Sequence, residues 1–76
     1  MMINTQNKEF NRIKAVLADT NKTSKWLAER LGKSENTVSR WCANKIQPSL
    51  SQLDEIARIL NVDIRTLIRP TNGIID

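Results

Sequence analysis

Apolar residues recur along this chain three and four positions apart, and cap residues fall between the runs, which places five helices. The first is expected from residue 5 or 7 to residue 19, with Phe10, Ile13, Val16 and Leu17 on one face and Asn21-Lys22 breaking it. The second starts at Thr23, an N-cap residue, and carries Leu27, Ala28 and Leu31. Gly32 follows at once, where a left-handed residue commonly ends a helix. Ser34 caps the third, Glu35 suits the positive end of its dipole, and Val38, Trp41 and Cys42 form its inward stripe.

Gln47-Pro48 interrupts the pattern, because proline drives its neighbour out of helical geometry. Ser49 and Gln52 then form an S-x-x-Q capping box ahead of a stripe of Leu50, Leu53, Ile56, Ala57 and Leu60. A short fifth helix starts at Asp63, with Val62 and Leu67 placed as a hydrophobic staple. Arg69-Pro70 ends it and residues 71–76 form a tail. There is no repeat, low-complexity tract or linker. The expectation is an all-α, compact five-helix bundle forming one domain over residues 1–76, its core about residues 7–69.

Composition agrees with a small folded domain: 76 residues, 39% hydrophobic and 26% charged, with two Gly. The net charge of +4 is unevenly spread. Residues 22–45 hold Lys22, Lys25, Arg30, Lys33, Arg40 and Lys45 against Glu29 and Glu35, a surplus equal to the whole chain's +4. A segregated basic stretch suits a polyanionic partner. Cys42 is the single cysteine and there is no His, so neither a disulfide nor a zinc site is expected. No apolar run reaches the ~20 residues of a membrane span, and the first residues lack a signal-peptide pattern, so a cytoplasmic protein is expected. No glycine-rich phosphate loop or paired acids point to an enzyme, and no cofactor is expected.

Two short helices joined by a tight glycine-containing turn, over about residues 23–44, have the spacing of a helix-turn-helix. Ala28 is small where such helices cross, and Val38 and Trp41 lock the second helix to the core. With Val38 inward, a step of about 100° per residue points Asn36, Arg40 and Ala43 outward, with Thr37 and Ser39 flanking and Glu35 leaning partly inward.

The run Leu-Ala-x-x-Leu-Gly-x-Ser-x-x-Thr-Val-Ser-Arg-Trp, Leu27 to Trp41, resembles the phage repressor and Cro family of helix-turn-helix proteins. The later Pro-Ser-x-x-x-Leu-x-x-Ile-Ala-x-x-Leu-x-Val, Pro48 to Val62, is similar to that family's next segment. The resemblance spans roughly Phe10 to Ile68 and implies that the third helix enters the DNA major groove. It implies base reading from Glu35, Asn36, Thr37, Ser39 and Arg40. Arginine can bond guanine O6 and N7, and asparagine adenine N6 and N7. Phosphate contacts are expected from Thr23, Ser24, Lys25, Lys33, Asn44 and Lys45.

Three features depart from the family pattern, the last of them a pair of positions. Ser24 stands where Gln is frequent, Lys33 where an apolar residue is frequent, and Leu17 with Cys42 where the family pairs Arg with Glu. A hydrophobic contact in place of that ion pair need not cost stability.

Asn36 and Arg40 can be solvated surface, and the lysines can serve solubility alone. Trp26 is expected to pack at the bundle edge with Arg30 stacked on it, or else to lie near the DNA backbone. Cys42 is expected as a semi-buried apolar residue rather than a redox sensor. The expected function is a sequence-specific transcriptional regulator, a repressor, binding a palindromic operator as a homodimer. Ile64, Ile68, Ile74 and Ile75 offer a dimer patch or else finish the monomer core. The alternative is a protein-interaction module, antitoxin-like or polymerase-contacting, built on the same fold.

Overall fold

The computed structural model describes residues 9–71. Four α-helices follow in order: α1 (Ile13–Asp19), α2 (Ser24–Leu31), α3 (Glu35–Cys42) and α4 (Leu50–Leu60). A single 3-10 turn, Ile64–Leu67, stands where the fifth helix was expected. Among the described residues there is no strand, only an isolated antiparallel bridge between Asn11 and Ile68. None of the described helices is long and apolar enough to cross a membrane.

The caps explain the helix starts. Thr23, Ser34 and Ser49 are extended, and each side chain accepts from the backbone N–H three residues on. At α4 the expected capping box is complete, with Gln52 Oε1 accepting from Ser49 N at 2.7 Å. Each α-helix stops in the same way. Asn21, Gly32, Asn44 and Asn61 all take positive φ, between 58° and 69°. The next N–H then reaches back to a carbonyl five residues earlier, at Leu17, Ala28, Arg40 and Ala57, over 2.8 to 3.0 Å. This is the Schellman closure, which satisfies carbonyls the helix leaves open. Asparagine tolerates the left-handed region better than other residues with a Cβ, so it replaces glycine at three of the four stops.

Ile13, Leu27, Val38, Ile56 and Leu67 are fully buried and draw α1, α2, α3, α4 and the 3-10 turn onto one core. Val16, Leu17, Ala28, Trp41, Ala57 and Leu60 complete it. Fully burying an aliphatic side chain of this size is worth roughly 1.5–3 kcal/mol. Pro48, expected only to interrupt, is itself buried.

Three expectations need correction. First, α1 begins at Ile13, not at residue 5 or 7, because the preceding backbone is committed elsewhere. Arg12 N donates to Leu67 O at 2.8 Å and Arg69 N to Phe10 O at 2.9 Å, tying residues 10–12 to residues 67–69. Phe10 is 56% exposed instead of facing the core; residues 5–8 lie outside the described residues. Second, the fifth helix is one turn of i→i+3 bonds, and Ile68 leaves it extended to form the bridge. Third, Leu50, the first residue of α4, is 70% exposed and does not join the inward stripe.

Candidate nucleic-acid interface

Gly32, Lys33 and Ser34 join α2 to α3, and these two helices make the broadest helix–helix contact in the structure. Gly32 adopts φ 69°, and a Cβ there would meet nothing within 4 Å. Glycine is therefore set by backbone conformation and not by space. Ser34 fixes the start of α3: its hydroxyl accepts from Thr37 N at 3.1 Å and donates to Thr37 Oγ1 at 2.9 Å. Val38 is 0% and Trp41 3% exposed, so one side of α3 is pinned to the core.

The opposite side carries the polar residues. Glu35, Asn36, Ser39 and Arg40 are exposed and Thr37 is half-buried. Glu35, expected to lean partly inward, is exposed at the first position of the helix. Around this face Lys25, Lys33 and Lys45 are also exposed, while Thr23 is exposed with its hydroxyl accepting from Trp26 N at 3.0 Å.

The ion pairs lie elsewhere. Arg58–Asp54, Arg65–Asp63 and Arg69–Glu9, at 2.9, 2.9 and 3.2 Å, are exposed pairs on α4, the 3-10 turn and the chain ends. Among the described residues Lys25, Lys33, Arg40 and Lys45 have no carboxylate partner. Among the described residues the ion pairs thus all fall outside α2 and α3.

Asn44, expected to contact phosphate, has its side-chain amide engaged within the protein. Its Oδ1 accepts from Phe10 N and Asn11 N, each at 3.0 Å, and its Nδ2 donates to Asn11 O at 3.2 Å. Gln47 Nε2 adds a bond to the same Oδ1 at 3.1 Å. The amide serves as an internal strut. Facing it is Asn11, 5% exposed, which sequence reasoning missed. Asn11 Nδ2 donates to Trp41 O at 2.9 Å and Gln47 Oε1 at 2.7 Å, while its Oδ1 accepts from Ile13 N at 3.0 Å. One buried side chain therefore holds the end of α3 and the start of α1 together. The Ile13 contact is local, but both acceptors of the Asn11 Nδ2 group lie 30 or more residues away, beyond the reach of a local pattern.

Trp26 is half-buried against the core, with Lys22 Nζ 4.6 Å and Arg30 Cζ 5.0 Å from its ring centroid. The Arg30 stack was expected; Lys22, one turn before Trp26, was the overlooked second cation. Leu17 is buried and Cys42 packs half-buried against the core. Burial pushes the Cys42 thiol pKa up, while a Ser24 hydrogen bond and the Lys14 charge act in the opposite direction.

A glycine-stopped helix, a capped second helix pinned by Val38 and Trp41, and a polar face among unpaired cations are the parts of a DNA-reading helix-turn-helix. Residues 12–72 match the Cro/C1-type HTH DNA-binding domain family. The chain belongs to that family.

Solved structures agree on the fold. The Cro/C1-type chain is similar to a protein from Bacteroides fragilis described as DNA-binding. Identity is 62% over 79% of this chain and 97% of that one, with a TM-score of 0.78. It is also similar to the SOS-response transcriptional repressor LexA from Eubacterium rectale. There identity is 25% over 100% of this chain and 82% of that one, with a TM-score of 0.74. No curated protein gives a significant match.

Proposed function

We propose that this Cro/C1-type chain is a non-catalytic, sequence-specific transcriptional regulator, a cytoplasmic repressor, that reads the major groove with α3. The observation that carries the reading is the two-sidedness of α3: Val38 and Trp41 buried, Asn36, Ser39 and Arg40 exposed among cations without acidic partners. The described residues act as one DNA-binding domain. Asn36 and Arg40 are the principal base readers, each good bidentate contact being worth ~1–3 kcal/mol of discrimination. Glu35 accepts from cytosine N4 or excludes misplaced phosphate; Thr37 reads from the flank with its hydroxyl already oriented by Ser34.

Lys25, Lys33 and Lys45 set the duplex in register through phosphates, as do the hydroxyls of Thr23 and Ser24. One such domain offers few base contacts, so we place two copies on a palindromic operator with half-sites about one helical turn apart. Ile68 contributes to the pairing surface, while Ile64 packs half-buried against the core; Ile74 and Ile75 lie outside the described residues. Ile68 is 40% exposed, which favours it for that role over core completion.

Selection from a random duplex library tests the proposal. The expected result is one strongly enriched sequence with two-fold symmetry, bound with an affinity that falls steeply as salt rises. Binding that is indifferent to sequence would contradict it.

A further inference from the structure

Where α1, α2 and α3 converge, a cleft of about 200 Å³ is lined by Lys14, Ser24, Ser39, Cys42 and Ala43. Each of the three helices supplies one hydrogen-bond donor to it: the Lys14 ammonium, the Ser24 hydroxyl and the Ser39 hydroxyl. No carboxylate lines it. Lys14 is exposed, lies outside the basic stretch of residues 22–45, and has no carboxylate partner among the described residues.

Building on the DNA-binding reading, we propose that this notch seats one phosphodiester of the DNA backbone, held by Lys14 with Ser24 and Ser39. Ser39 neighbours Arg40 on α3, so the notch is continuous with the face proposed to read bases. This assigns Ser39 to the backbone side of that face and turns Arg40 towards the base edges. Ser24 Oγ lies 3.6 Å from Cys42 Sγ, and either atom can donate. A thiol is a weak partner, so the Ser24 hydroxyl can turn to a stronger anionic acceptor. Ala43 at the rim has no side chain long enough to close the opening. The half-buried Cys42 forms the wall and keeps the notch short of polar competitors.

The experiment uses the full chain and duplex DNA. For Lys14→Gln the slope of log affinity against log salt becomes shallower by about 0.9, the contribution of one neutralised phosphate. Affinity falls alike on the selected and on random duplexes, the selected sequence is unchanged, and Lys14→Arg restores the slope. Cys42, the single cysteine of the chain, gives a second readout. Duplex slows its reaction with a disulfide reagent severalfold in the wild type and much less in Lys14→Gln, each compared with its own DNA-free rate. Inorganic phosphate at matched ionic strength gives no such protection.

An unchanged salt slope in Lys14→Gln, with the wild type still binding, overturns the notch and leaves the DNA reading intact. Protection by inorganic phosphate equal to that by duplex overturns it too, since the notch would then be a free-anion site. Failure of the wild type to bind any duplex overturns the DNA reading itself.

Discussion

Two regions hold α3 in place, and they are built differently. At its front end the α2–Gly32–α3 unit is local: Thr23 and Ser34 cap, Gly32 stops, and Val38 and Trp41 pack, all within a short stretch of chain. At its back end, residues 10–12, 41–47 and 67–69 form a polar clamp from distant parts of the sequence. Asn11 bonds Trp41 O and Gln47, Asn44 bonds Phe10 N and Asn11 N, and Arg12 N bonds Leu67 O. The difference teaches that α3 is supported at both ends, and that only the front support follows from neighbouring residues. Hydrophobic packing orients α3 about its axis; the buried amide fixes where its last turn sits.

The two ends can be separated by substitution. Trp41 serves both, since its ring is in the core and its carbonyl is the acceptor for Asn11. Trp41→Ala is expected to cost ~3–5 kcal/mol through the cavity it leaves, enough to unfold much of a small domain. Chemical denaturation monitored by far-UV circular dichroism measures this directly.

Asn11→Leu attacks the clamp alone. It leaves the buried Trp41 carbonyl without that donor, and the expected loss is ~1–3 kcal/mol. The same cost for Asn11→Leu and for a substitution of exposed Arg12 would mean that the clamp contributes nothing special. Gly32→Ala tests the front turn, where space is open but φ is positive. A loss of ~1–2 kcal/mol is expected from the strained conformation, with Gly32→Asn recovering most of it, as at the other three stops. Equal melting temperatures for Gly32→Ala and Gly32→Asn would remove the conformational argument.

The smallest effect concerns acid. Asp63 bonds the side chain and the N–H of Arg65, which lowers its pKa from 3.8 to about 2. A carboxylate depressed in the folded state adds stability that is present above its unfolded value and lost as pH falls through its folded value. A slight decline in melting temperature between about pH 4 and pH 2 is therefore expected, smaller in Asp63→Asn. The group is fully exposed, so solvent keeps the effect small.

Much of this was legible in sequence for physical reasons. Caps at Thr23, Ser34, Ser49 and Asp63, the stop at Gly32 and the stripe from Leu53 to Leu60 are signals carried by residues within one or two turns. The chain ends were misread for the converse reason. Phe10 continues the helical period of Ile13 and Leu17, yet residues 10–12 gain more from pairing with residues 67–69 than from another turn of helix. The same pairing shortens the fifth helix to one 3-10 turn. At the site, the exposed arc of α3 follows from rotation about a buried Val38. The internal use of Asn44 does not, because it depends on a partner 33 residues away. Asparagine after each of α1, α3 and α4 was a usable clue to left-handed stops.

The central claim is that the exposed face of α3 reads sequence, and one comparison tests it most directly. Binding specificity is determined from a random duplex library for the wild type, for Arg40→Ala and for Lys45→Ala. The account predicts that Arg40→Ala relaxes preference at one base pair per half-site, while Lys45→Ala weakens all sequences alike and keeps the preference. An unchanged preferred sequence in Arg40→Ala, at undiminished discrimination, would contradict it.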